Sequence, residues 1–250
     1  MDLTTVLGSA GIIFLAGTAH SVVGFGYALF ATPLLVMIGM PLQNAIVLVA
    51  SCSFFQSALG AASLRHAIPW RQAMTGLAIR LASVMIGILF LKKLAAANMD
   101  HMRLAVGLAL CLLVLVLFVW KPRPVASLHW AWGAVAFTAS GILAGLVGMG
   151  GPPLVLWLMA HDWSTRKTRG FLFAVFTMSI PFQLALLALT FGGSILVYAA
   201  LGIAFVPLVF VGSRIGLPLG NRMAKSRLRN VAYIILLVIG TSAVVQALIP

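Results

Sequence analysis

The chain has 250 residues, 62% of them hydrophobic and 8% charged, with a formal net charge of +13 and a mean hydropathy of +1.15. A soluble core does not need that apolar fraction, whereas runs of about 20 apolar residues are what a bilayer core demands. The composition excludes a soluble enzyme, and sixteen Lys and Arg residues placed mostly between apolar runs mark the loops of a membrane protein and not a nucleic-acid binder.

Eight apolar segments follow in chain order, at about 6–38, 43–63, 71–91, 104–120, 130–160, 170–191, 195–219 and 231–249. The opening MDLTTVLGSAGIIF has no positive stretch before its apolar run, so it reads as a first span and not as a cleaved signal. Six segments have ordinary spanning length. The first and fifth, at about 33 and 31 residues, are too long for one upright helix, since 20 residues already cross a core of about 30 Å. These two also carry helix breakers: Gly24-Phe25-Gly26 in the first, and Gly148-Met149-Gly150-Gly151-Pro152-Pro153 in the fifth. Glycine adds backbone entropy and proline removes an N–H donor, so both segments are expected to be broken or re-entrant.

The two glycine motifs lie 124 residues apart, half the chain. That spacing predicts an all-α polytopic protein of about eight transmembrane segments in two homologous halves, 1–120 and 130–250, joined by a hydrophilic connector at 121–129. With eight full crossings, Lys and Arg divide ten to four between the two sides. With segments one and five entering and returning on one side, the division is eleven to three. Both arrangements put the richer side in the cytoplasm and both termini outside an inner membrane. Charge does not choose between parallel and inverted halves.

A break inside a bilayer survives only where it is buried in protein or lines a wet cavity. A new helix N-terminus presents free N–H groups and the positive end of a dipole, which suits an anion. Paired breaks therefore point to a transport site at Gly24, Gly26, Gly148, Gly150 and Gly151; glycines serving only close helix packing are the alternative. Bulky replacements at Gly150 or Gly151 should block such a site before they harm the fold, while Gly145 should tolerate Ala if it only packs helices. Costly polar residues add candidates. Arg80 lies mid-segment as an anion counter-charge or an interhelical hydrogen-bonding group. Gln56 and Gln183 are amide donors to an oxyanion or bridges between helices. His20 stands one turn before Gly24, to bind an anion, relay a proton or simply pack. Arg214, near a span end, reads as snorkelling.

The three acids, Asp2, Asp100 and Asp162, lie outside the spans, which argues against a cation path or a carboxylate proton relay. Cys52 and Cys111 have no CxxC or histidine partner, so neither a disulfide nor a metal is expected. No Walker loop, HExxH or supported GxSxG motif is present, and no cofactor or catalytic residue is assigned.

The stretches GFGYALFATPLL (24–35), GMPLQNA (39–45), GILAGLVGMGGPPLVLWL (141–158) and KTRGFLF (167–173) resemble the TauE/SafE family of sulfite and sulfonate exporters. Tyr27-Ala28 stand where many members continue with glycines. The resemblance spans nearly the whole chain and implies a secondary transporter of small anions, often oxidised sulfur compounds. The partners expected are a small anionic substrate and the lipid bilayer, not nucleic acid; a homo-oligomer is compatible with the sequence. A membrane-embedded enzyme or a non-transporting scaffold subunit are the alternatives.

Overall fold

A computed structural model of the chain describes residues 3–23, 26–96, 99–119, 125, 128–222 and 225–248. Every regular element among the described residues is helical. In order they are α1 (Leu3–Val23), α2 (Tyr27–Met37), α3 (Leu42–Ser63), α4 (Trp70–Ala95), α5 (Met99–Val119), α6 (Trp130–Val147), α7 (Gly151–Met159), α8 (Thr165–Phe191), α9 (Leu196–Ala204), α10 (Val206–Arg222) and α11 (Lys225–Leu248). Five described helices are long and apolar enough to cross a bilayer, or six when α9 and α10 count as one bent span. The protein is an all-α polytopic membrane protein. Large apolar side chains on the outside, such as Leu112, Val135 and Leu189, present the surface that lipid requires.

Both overlong segments are divided at their glycines, α1 from α2 and α6 from α7. Gly26 and Gly148 take φ of +92° and +75°, a left-handed conformation open to residues without Cβ. The second half of each segment turns back beside the first. A Cβ on Gly133, early in α6, would lie 3.4 Å from Trp157 Nε1, late in α7, and the rings of Phe137 and Trp157 are 5.6 Å apart. The Val125 N–H donates to the Ala160 carbonyl at 3.0 Å, so the residues flanking the pair meet at one end. Likewise a Cβ on Gly8 in α1 would lie 3.7 Å from Ile38 Cδ1, just past α2. Each segment is a helical hairpin whose tip is the glycine break.

The segment at 195–219, expected to be an ordinary span, is instead bent by 41° between α9 and α10. Pro207, the second residue of α10, is the cause. It has no N–H to offer the Ile203 carbonyl, and its ring crowds that turn.

The hairpins are clamped by close helix seams. α4 packs against α6, α1 against α10, α5 against α11, and α3 against α8 and α9. Along α4–α6 the contact is backbone on backbone: a Cβ on Gly141 would sit 2.5 Å from the Arg80 carbonyl oxygen, and one on Gly145 would sit 2.8 Å from Ile88 N and 2.9 Å from Gly87 Cα. Small residues let membrane helices approach this closely and gain dispersion energy over a long seam. Gly145 thus does pack helices, yet the tolerance expected of it fails, because its neighbours are main chain and cannot give way. Gly145→Ala should lower the thermal unfolding midpoint of the detergent-purified protein, by about 1–3 kcal/mol of overpacking. Gly11→Ala, where a Cβ meets nothing within 4 Å, should leave the midpoint unchanged or raise it through helix propensity.

Candidate functional site

The two hairpin tips meet across one cavity of about 140 Å³. Gly26, Tyr27 and Ala28 open it from the first hairpin; Gly148, Gly150, Gly151 and Pro152 open it from the second, with α3 and α8 as the flanking walls. An apolar cavity of roughly 150 Å³ accommodates benzene, so this one suits a small ion and not a metabolite of cofactor size.

Arg80 reaches the cavity from α4 and is 2% exposed. Its Nε donates to Ser179 Oγ of α8 at 3.2 Å, and its Nη1 donates to Ser140 Oγ of α6. Ser140 in turn donates to the Gly150 carbonyl, tying the guanidinium to the second hairpin tip. The guanidinium also lies 5.3 Å from the centroid of the Phe176 ring. Two of its five N–H donors are engaged by serines. Of the two roles considered for Arg80, the interhelical hydrogen bonding is present, and the guanidinium also lines the cavity. Among the described residues no carboxylate lines the cavity. The described ion pair joins Arg103 to Asp100 at 3.3 Å, away from it.

The second tip supplies backbone donors, though fewer than a helix start usually does. Pro152 and Pro153 have no N–H, and Met149 N–H is spent on the Leu143 carbonyl at 3.2 Å. No described group accepts from the N–H of Gly150 or Gly151. In the first turn of a helix such groups have no intrahelical partner. They carry the positive end of the α7 dipole.

The remaining candidates also border this cavity. His20 lines it from α1, its ring edge-on to Tyr27 with centroids 6.3 Å apart. Gln56 lines it from α3, half-buried. Gln183 lines it from α8 and donates from Nε2 to the Ala144 carbonyl at 2.8 Å, so its bridging role is realised. Gly24 lies outside the described residues. Arg214 is exposed and stands apart from the cavity. Cys52 and Cys111 are free thiols, and no group of three or more His, Cys, Asp or Glu is placed to hold a metal among the described residues.

Arg169 is a lining residue that sequence reasoning missed, having been counted with the loop cations. It is exposed and stands in the second turn of α8. The signal was present: Arg169, Phe173, Phe176, Ile180 and Gln183, all lining the cavity, recur at the spacing of one helix face.

The cavity's glycines are not equivalent, which sharpens the expected effect of filling it. A Cβ on Gly150 would lie 2.5 Å from the Ser140 carbonyl oxygen and 2.7 Å from Ala144 Cβ, whereas one on Gly151 meets only Phe176 Cζ at 4.0 Å. Gly150 therefore belongs to the hairpin's packing, and even Ala there should impair assembly rather than act mildly. Gly151→Val should project into the cavity, leave a monodisperse protein on size-exclusion chromatography, and reduce anion flux in proteoliposomes by at least about tenfold, a loss of 1.4 kcal/mol or more.

Comparison with known proteins agrees with this geometry. The profile of the family described as "Sulfite exporter TauE/SafE" matches residues 9–243. A relative in Cupriavidus necator, described as a probable sulfite/organosulfonate exporter TauE, is 24% identical over 98% of this chain and 96% of its own. No solved structure matches the chain. The match covers both hairpins, the cavity between them and nearly all the helices around them: the protein belongs to the TauE/SafE sulfite exporter family, whose members are membrane anion transporters and not enzymes.

Proposed function

We propose that this protein moves small sulfur oxyanions, sulfite or sulfonates, across the inner membrane by alternating access, with the cavity between the hairpin tips as the substrate site. The observation that carries the reading is the meeting of both helix breaks at one cavity with a buried guanidinium that no carboxylate among the described lining residues neutralises. A lone charge taken out of water is expensive, about 2.5–3.5 kcal/mol for arginine at a helix centre on insertion scales, and such residues mark ion pathways. An anion in the cavity supplies the missing counter-charge. Gly26, Gly148, Gly150, Gly151, His20, Gln56 and, by its place in the motif, Gly24 complete the proposed site.

The same reading assigns the chain to two inverted halves, 1–120 and 130–250, joined by 121–129. Exchanging α1 with α6, α3 with α8, α4 with the α9–α10 pair and α5 with α11 maps the packed pairs onto one another: α4–α6 onto α10–α1, α4–α8 onto α9–α3, and α5–α11 onto itself. Returning hairpins make the halves start from opposite membrane faces. The link before α4 then shares a face with the start of α8, in keeping with Gly170, where a Cβ would lie 3.1 Å from Ile68 and 3.3 Å from Leu64. In this arrangement α3, α4, α5, α8, α9–α10 and α11 cross. The cytoplasmic face holds Arg65, Arg71, Lys121, Arg123, Arg166, Lys167, Arg169, Arg222, Lys225, Arg227 and Arg229; the outer holds Lys92, Lys93 and Arg103. Both termini are external.

Two measurements test this. A C-terminal reporter that matures only in the cytoplasm should stay dark on a stably inserted protein; a bright one overturns the orientation. Flux of labelled sulfite, taurine, sulfoacetate and a carboxylate control should be followed in proteoliposomes for the wild-type chain and Arg80→Gln. The sulfur oxyanions should cross, and the variant should lose their flux while remaining extractable and monodisperse. Arg80→Lys should rescue only partly, because an ammonium is a point charge without the planar fork. Wild-type vesicles tight to every sulfur anion would end the substrate assignment.

A further inference from the structure

α8 carries more of the cavity than its central part. Arg169, Phe173, Phe176, Ile180 and Gln183 line it along a single face, a run of about 21 Å at the rise of an α-helix. Its two ends differ. Gln183 is 4% exposed, whereas Arg169 is exposed to solvent, so the cavity opens at the Arg169 end. Two guanidiniums serve this face, each paired with a ring of α8: Arg169 lies 6.0 Å from the centroid of Phe173, and Arg80 lies 5.3 Å from that of Phe176. The levels of Arg169 and Phe176 are about 10 Å apart along the helix. The Phe173 ring between them is seated against Gly60 of α3, where a Cβ would come within 2.6 Å of Phe173 Cε2.

The placement of Arg169 is not explained by helix stability. Arg166, Lys167 and Arg169 crowd the opening turns of α8, the end at which a helix dipole disfavours positive charge. Lys167 is occupied on the Trp163 ring at 4.2 Å, and neither it nor Arg166 lines the cavity. Arg169 does, and among the described residues no carboxylate lines the cavity beside it.

We propose that Arg169 is a capture site for small oxyanions at the cytoplasmic mouth of the cavity, the first of two cationic stations on one face of α8, from which the anion passes the Phe173 ring to reach Arg80. The proposal rests on the reading of the cavity as the anion site, and it adds the point at which the anion is first held. A cation at the mouth of a low-dielectric cleft raises the local concentration of anions and their rate of arrival, and it does so in a salt-dependent way.

The test uses the full chain with Cys52→Ala and Cys111→Ala, and a reporter thiol at Ser53→Cys on the α3 wall of the cavity. In detergent, where both faces are accessible, the thiol is titrated with an anionic, sulfonate-bearing thiol reagent and with a cationic one of similar size. The anionic reagent should react faster, and Arg169→Gln should cut the anionic-to-cationic rate ratio by at least about threefold at low salt, with little effect left at 0.5 M salt. Arg169→Lys should restore most of the ratio, which a merely structural role would not predict. A ratio unmoved by Arg169→Gln in a monodisperse protein overturns the proposal, whatever the transported substrate. In proteoliposomes, Arg169→Gln should raise KM for sulfite about fivefold at low salt with kcat within a factor of two. An unchanged KM beside intact wild-type flux also overturns it. Wild-type vesicles with no sulfite flux, beside a rate ratio that responds to Arg169, would instead fault the substrate assignment alone.

Discussion

The structure is organised around a buried positive charge that no carboxylate among the described residues answers. Arg80 is buried within α4, and its position is defined by serines on two other helices and by the Phe176 ring. Hydrogen bonds to neutral hydroxyls hold a guanidinium in place without cancelling its field. An internal ion pair would have lowered the cost of burial, but it would also have left no uncancelled positive field in the cavity. The serine relay from Arg80 to the Gly150 carbonyl links that charge to the fold of the second hairpin. The charge and the hairpin tip are one unit.

The rest of the helical packing holds the hairpin tips at the depth where that charge sits. Hairpins of broken helix expose carbonyl and N–H groups that lipid does not satisfy, so each must be enclosed by neighbours. The α4–α6 seam does this on one side through Gly87, Gly141 and Gly145. The α1–α10 seam does it on the other, where a Cβ on Gly212 would meet the Phe14 carbonyl at 2.7 Å and one on Gly17 would lie 3.2 Å from that of Val209. Glycine in these seams is a packing residue. At Gly26 and Gly148 it is a conformational one. At Gly151 it is neither, and simply leaves space.

That division explains what was legible in the sequence. Hydropathy marked where the apolar helices would run, and overlength together with glycine and proline marked the two that break. Paired helix breaks and the cost of polar groups in a bilayer led to residues that border one cavity, Gly24 excepted as undescribed. The different duties of neighbouring glycines were hidden, because Gly145, Gly150 and Gly151 differ only in what faces them from α4, α6 and α8. Charge counts left crossing and returning segments equally acceptable; the contact of Val125 with Ala160, which favours the returning form for the second segment, is a long-range one that no spacing announces. The bend before Pro207 was written in the sequence, but it was masked by an otherwise uninterrupted apolar run. Arg169 was overlooked for a related reason: at a helix end, a cation drawn to the cytoplasmic face and a cation at the mouth of a cavity look the same.

The depth of the cavity also decides where the membrane voltage falls. Water or ions filling the α8 face from Arg169 inward would carry the potential of one aqueous phase about 21 Å along that helix, through most of a hydrocarbon core of about 30 Å. The voltage would then drop across the short remaining layer beyond the hairpin tips, a field several times steeper than that of an unbroken bilayer. An ion that moves inward from Arg80, at the level of Phe176, meets that layer beyond Gln183. A displacement of only a few ångströms past the tips would there traverse most of the full difference, worth about 2.3 kcal/mol per elementary charge at 100 mV. In such a protein the electrical work of transport is done over the thickness of a single side-chain layer, not over the width of the membrane.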